Sequence, residues 1–231
     1  MELLMKKFIF SILRLLTVCV WITGCGSKTP IDSNFVDPVD IAGYSQFNSC
    51  CGHIYPDNVT VSRKHYLYPE SQYLGTHDKL KVYAPCTGTV KFDVIAGGHG
   101  GCADGSSRGT EISISCKNDR KATVVLFHQN PASGVTDGSE VKTGQLLSYA
   151  YLDCTTNTAE QNQQTNFDIA FLASGDKGAD SVFSYMVPGV RSTWEARGVR
   201  ASQINVSDGA TCDFSDSTGA AALCVKESIY F

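Results

Sequence analysis

From residue 80 onward short strand-like runs with period-two patterning alternate with turn signals. The runs are KLKVYAP (79–85), GTVKFDVIA (88–96), GTEISISC (109–116), KATVVLFHQ (121–129), QLLSYAYL (145–152) and NFDIAFLA (166–173). A period of two sends successive side chains to opposite faces of an extended strand, a pattern a helix cannot satisfy. Short strands at such regular spacing, separated by turn residues, predict a mainly β domain, a barrel or sandwich that buries one face of each strand. The stretch AGGHGGCADGSSRG (96–109) is too rich in glycine to be anything but a loop. After Gly178 the texture changes: the spacing around Trp194 suits a helix, and a turn is expected at Pro188–Gly189. Residues 179–231 are therefore expected to form a small helical or irregular C-terminal segment. No internal repeat or heptad pattern is present.

The 231 residues are enough for one domain with a sizeable core. A net charge of -4 provides no global basic field to hold a phosphate backbone, so nucleic acid is not an expected partner. The G-x-x-x-x-G-K-[ST] phosphate loop is absent.

The N-terminus reads as an address. Lys6 and Lys7 precede an apolar stretch, Phe8 to Ile22, that is interrupted by Arg14 and ends in small residues at a cysteine. A membrane-spanning helix needs ~20 uninterrupted apolar residues, so a cleaved secretion signal over 1–24 is the better reading. The residues Ile22, Thr23, Gly24 and Cys25 resemble the bacterial lipobox, which implies that Cys25 is acylated and becomes the first mature residue. An ordinary signal peptide that happens to contain a cysteine is the competing reading. Two or three acyl chains suffice for stable anchoring. Gly26 is not the aspartate that retains many such proteins in the inner membrane, so the expected address is the outer membrane where the organism has one, facing the periplasm or the cell surface. Residues 25–45 would be anchor and tether, with a short polar stretch from Gly26 to about Val39 holding the domain off the membrane. The β domain would run over 46–178.

Of the ten cysteines, Cys19 leaves with the signal and Cys25 takes the lipid. The remainder are Cys50, Cys51, Cys86, Cys102, Cys116, Cys154, Cys212 and Cys224, an even number in an oxidising compartment, so disulfides are expected. Local closures suggest themselves for Cys212 with Cys224 and for Cys102 with Cys116, the first being the preferred one. No C-x-x-C pair points to a zinc-cysteine site.

Three segments carry a family resemblance. VYAPCTGTV (82–90) resembles the strand-turn-strand signature of the M23 (lysostaphin/LytM-like) metallopeptidases. VLFHQN followed by DGSEVKTGQLLSYA resembles that family's histidine strand and the hairpin after it, a hairpin also found in biotinyl/lipoyl-type hybrid barrels. NFDIAF falls where the family has its H-x-H strand. The resemblance implies a LytM-like β fold. It also implies a zinc held by an H-x3-D pair and the second histidine of H-x-H, with two further histidines assisting attack by a metal-activated water.

Tested position by position, only His53 has an aspartate at the required offset, Asp57; His65 lies nearer the VYAP hairpin and is an alternative ligand, but Pro69 occupies its fourth position. The H-x-H triplet is replaced by Asn166-Phe167-Asp168. Asp168 can ligate a metal through its carboxylate, so a His53, Asp57, Asp168 zinc site is chemically possible, but Asn166 cannot act as an acid or base. His128 matches the family's other catalytic histidine, with a locally bonded strand histidine as the competing reading. Losing a positioned acid/base forfeits ~10²–10⁴ in rate, so efficient peptidase activity is not expected and no resident cofactor is expected, zinc being the one the resemblance leaves open.

Of the nearby tyrosines Tyr55, Tyr66, Tyr68 and Tyr73, packing with hydroxyls at the surface is expected, with stacking on wall sugars as the alternative. The acidic segment 208–217 lacks EF-hand spacing and reads as a solvated loop. The expectation is thus a lipid-anchored envelope protein with a degenerate M23-like domain that binds or regulates at the cell wall, its partner being peptidoglycan or an envelope hydrolase. The alternatives are an active zinc-dependent peptidoglycan endopeptidase with the unusual ligand set, and a purely structural lipoprotein.

Overall fold

The computed structural model describes residues 29–49, 63–94, 109–119, 122–153, 166–172, 179–206 and 228–231. The expected mainly β architecture is present: eleven strands among the described residues form one connected, antiparallel sheet. They are β1 (Ile41–Ser45), β2 (His65–Pro69), β3 (Lys81–Tyr83), β4 (Gly88–Val94), β5 (Thr110–Cys116), β6 (Thr123–Pro131), β7 (Glu140–Val141), β8 (Leu146–Ala150), β9 (Phe167–Leu172), β10 (Ala179–Asp180) and β11 (Ser228–Tyr230). The main path runs β11-β1-β2-β9-β6-β5-β4-β7, with β8 joining β6 to β3 and β10 extending from β9.

The alternation read from the sequence decides which face is inside. Leu67 on β2, Ile112 and Ile114 on β5, Val124 and Leu126 on β6, and Phe167 and Ile169 on β9 are all fully buried in one apolar cluster. Each sits two residues from the next on its strand, as a one-sided core demands. The opposite face of β2, β6 and β9 carries Tyr66, Val125 and Asp168, and these too are buried.

Two segments expected to lie outside the domain are built into it. The tether expected to about Val39 is packed from Ile31 onward, because Ile31, Phe35 and Val36 are apolar side chains with no exposed surface at all. At the other end, Pro188–Gly189 is the start of a helix, α1 (Pro188–Arg197), and not a turn. Proline's fixed φ suits the first helical position, where its missing N–H has no intrahelical partner to lose. Gly198, at φ 122°, ends the helix by donating its N–H to the Trp194 and Glu195 carbonyls. The helix brings Trp194 into the core, fully buried, stacked on Phe35 at 5.4 Å and edge-on to Phe183 at 5.2 Å. Its indole N–H donates to Asn34 Oδ1 at 2.9 Å. Residues 179–206 therefore share the core of the β domain.

The suggested closure of Cys102 with Cys116 does not form; Cys116 bonds to Cys86. The reason lies in the sheet register, which pairs β4 with β5 so that Gly88 lies opposite Cys116 and puts the residues just before β4 beside it. Cys212 and Cys224, like Cys25, lie outside the described residues.

Candidate functional site

The face of the sheet away from the main core gathers the residues that the sequence places in the M23-like pattern. β2 and β9 pair with Tyr66 opposite Asp168, and β9 pairs with β6 as far as Ile169 opposite Leu126. Beyond that point β6 leaves β9 and pairs with β8 from Gln129 onward. On its other edge, Phe127 and His128 together oppose the single residue Glu111 between the pairs Ile112–Leu126 and Thr110–Gln129, which is a β-bulge. His128 sits in this bulge with φ at 58°, a left-handed conformation rare outside glycine. A bulge re-aims a side chain, and here it brings the imidazole Nε2 to 3.6 Å from Asp168 Oδ1. Gly109 stands behind it at φ 80°, where a Cβ would lie 2.6 Å from the Gln129 carbonyl oxygen.

Asp168 is fully buried, His128 is 3% exposed and Asn166 is 3% exposed. A buried carboxylate requires a compensating charge or strong hydrogen bonds. It has one in Lys64, which sits immediately before β2 and forms a close ion pair with Asp168 Oδ2. The ammonium also lies 4.0 Å above the centre of the Phe127 ring and 5.2 Å from that of Tyr66, so aromatic faces complete its surroundings. Burial opposes a charge on Lys64, but the Asp168 carboxylate and Tyr66 outweigh it and hold the ammonium above the usual lysine value. Glu111 nearby is raised by burial and then by Asp93, against the opposing charges of Lys64 and Lys91.

His65 is placed differently. It is fully buried on the core side of β2, its Nδ1–H donating to the Ser45 carbonyl at 2.8 Å and its Nε2 accepting from the Ser181 hydroxyl at 2.7 Å. Both ring nitrogens are thereby engaged, on the face opposite Asp168. Burial lowers its pKa to about 4. His53 and Asp57 lie outside the described residues, as does Tyr55. Tyr66 is 6% exposed beneath Lys64, Tyr68 stacks on Tyr230 at 5.4 Å, and the Tyr73 hydroxyl donates to Asp40 Oδ1 at 2.6 Å. Tyr68 also packs against Tyr66, so these two share one face, while Tyr73 lies apart from them beside Asp40.

The resemblance implies a zinc held by three side chains. The described residues do not fit that role: Asp168 carries the ammonium of Lys64, and no three His, Cys, Asp or Glu side chains among the described residues are grouped to hold a metal. Sequence reasoning missed Lys64. The signal available was its parity with Tyr66 and Tyr68 along KHYLY, which sets it on the same face as those tyrosines and opposite His65 and Leu67.

No protein-family model matches the chain, and no curated protein matches it. Among solved structures, it is similar to the SpoIIQ–SpoIIIAH pore-forming complex, at 14% identity and a TM-score of 0.46, over 69% of this chain and 92% of that one. It is also similar to the catalytic domain of the antimicrobial peptidase lysostaphin from Staphylococcus simulans, at 14% identity and a TM-score of 0.36, over 60% of this chain and 84% of the other. A further similarity is to the putative glycyl-glycine endopeptidase LytM from Ruminococcus gnavus, at 16% identity and a TM-score of 0.34, over 58% of this chain and 47% of that one. The functional reading accordingly rests on the residues of this chain.

Proposed function

We propose that this protein is a lipid-anchored component of the bacterial cell envelope whose M23-like β domain lacks peptidase activity and acts as a binding or regulatory module at the cell wall. The observation that carries the reading is the condition of the H-x-H strand. Asn166 stands where an acid/base histidine would be, and Asp168 is tied to Lys64 by an ion pair. A carboxamide neither accepts nor releases a proton near neutral pH, so the hydrolytic step has lost one of its two proton carriers. The VYAPCTGTV segment supports the M23-like reading as the β3-turn-β4 unit, and VLFHQN supports it as β6 with His128 beside Asp168. A scaffold can keep its shape and its partners after its chemistry is gone.

Anchoring through Cys25 and an outer-membrane address are parts of the same proposal, as is a partner of peptidoglycan or an envelope hydrolase. The chain, purified without its signal, is expected to hold no stoichiometric zinc and to leave cell walls undigested while co-sedimenting with them or retaining a hydrolase. Stoichiometric zinc together with wall digestion that His128→Ala abolishes would establish the active endopeptidase with the His53, Asp57 and Asp168 set instead. Incorporation of a palmitate analogue in cells should vanish in Cys25→Ser; labelling that persists contradicts the anchor.

A further inference from the structure

We propose that the ammonium of Lys64 is a fixed, built-in cation that takes the place of a metal ion in this pocket, so that the domain is held together by a residue of its own chain. The inference deepens the reading of the site as metal-free and rests on it.

Four observations converge. Asp168, the second residue of the central strand β9, has no exposed surface, and in such a position an ionised carboxylate is stable only beside a positive charge or several donors. Lys64 supplies that charge in direct contact, with its side chain only 12% exposed. Phe127 and Tyr66 present their ring faces to the same nitrogen, an arrangement that selects a cation and not merely a hydrogen-bond donor. Finally, His128 Nε2 lies 3.6 Å from Asp168 Oδ1, near the roughly 3.4 Å edge that two nitrogen and oxygen ligands span around a tetrahedral zinc. The pocket thus keeps a pair of donor side chains at metal-ligand spacing, while the carboxylate is neutralised from within.

A lysine in this role differs from a metal in one decisive way. A metal can be chelated or exchanged, and its affinity is part of the folding free energy; an ammonium on the same chain cannot be removed. The domain should therefore be indifferent to chelators and to added divalent ions, and sensitive to the loss of one side chain.

The experiment follows the melting temperature of the signal-less chain with and without a chelator or excess zinc, for the wild type, Lys64→Met, Lys64→Arg and the double variant Lys64→Met/Asp168→Asn. For the wild type, neither chelator nor zinc should move the transition. Lys64→Met should melt roughly 10 °C lower, since breaking a buried pair leaves a charge without its cation. Zinc should restore part of that loss, and cobalt should give a visible absorption band in this variant alone. Lys64→Arg should stay close to wild type, and the double variant should recover most of the loss because both charges are gone. Should Lys64→Met fail to fold, the double variant still decides the matter: folding restored by Asp168→Asn supports the assignment and folding not restored overturns it. A wild-type protein that zinc stabilises through Asp168, or a Lys64→Met protein as stable as wild type and blind to zinc, also overturns it. Wall digestion by a wild-type protein whose melting ignores zinc and chelator would sink the non-catalytic reading while leaving the lysine assignment intact, so the two failures are distinguishable.

Discussion

The imidazole of His65 sits among Tyr44, Phe47 and Phe183, with ring centroids 4.9–6.0 Å away, and its tautomer is fixed by what it touches. The Ser45 carbonyl can only accept, so Nδ1 carries the proton and Nε2 is left to receive the Ser181 hydroxyl. With a pKa of about 4 in the fold against 6.5 for the free side chain, the unfolded chain binds a proton between those values and the folded chain does not. Stability from this group is therefore fully present above about pH 6.5 and is lost as the pH falls toward 4, to the extent of about 3 kcal/mol. Urea denaturation from pH 7 to pH 4 should show this loss in the wild type, and His65→Gln, less stable at pH 7, should show a flatter profile across the window. An equal slope in both proteins would place the acid sensitivity elsewhere. Lys64 carries the opposite sign: its raised value means that its contribution holds throughout this window and fades only in alkali, as the pH rises through its folded-state value.

At the scale of the element, β6 is a strand with two partners along one edge, and the bulge on its other edge, against β5, falls between Leu126 and Gln129, where that change of partner occurs. A non-glycine residue at φ 58° costs about 1 kcal/mol, which the surrounding ladder must hold in place. His128→Gly should consequently be more stable than His128→Ala by about 1 kcal/mol, although it removes one more carbon. Chemical denaturation of the two variants side by side measures this, and equal midpoints would mean that the bulge relaxes. Gly109→Ala should be worse than either, by about 2 kcal/mol or more relative to wild type, because its new Cβ would meet the Gln129 backbone at 2.6 Å in a conformation already disfavoured for alanine. The short, β-branched and aromatic run VVLFHQ announces a strand correctly. It is silent about the bulge, because a bulge is made by the partners and not by the residues that form it.

For the molecule as a whole, the helix and both ends of the described chain close the sheet. Trp194 meets Phe35 from the N-terminal side and Phe183 from the segment after β10, while β11 pairs with β1. Phe231 continues the closure, with its N–H on the Ala42 carbonyl and its ring 5.2 Å from the Arg197 guanidinium, which also binds Glu70. Trp194→Ala should therefore cost about 4 kcal/mol and lower a single transition of the entire domain. A separate early transition for the C-terminal part, followed by near-UV circular dichroism, would mark it as independent. The Cys86–Cys116 bond spans a separation of 30 residues within the sheet, and replacing both cysteines by alanine should lower stability by about 3 kcal/mol.

The fold class is legible in the residues alone, because six short strand-like runs punctuated by turn residues leave a sheet as the way to bury one face of each. The sequence also marks which residues are chemically notable: Asn166 and Asp168 in the H-x-H place, and His128 on its strand. What those residues meet depends on how the strands pair in space. Strand parity assigns a side chain to a face, but register and a one-residue bulge decide which neighbours share that face at contact distance. Lys64 and Asp168 are 104 residues apart in the chain and become partners only when β2 and β9 pair. The same logic explains why Cys116 bonds to Cys86, and why the polar-looking stretch before Val39 is packed: a few apolar side chains among polar neighbours carry no periodic signal, yet each finds a place in the core.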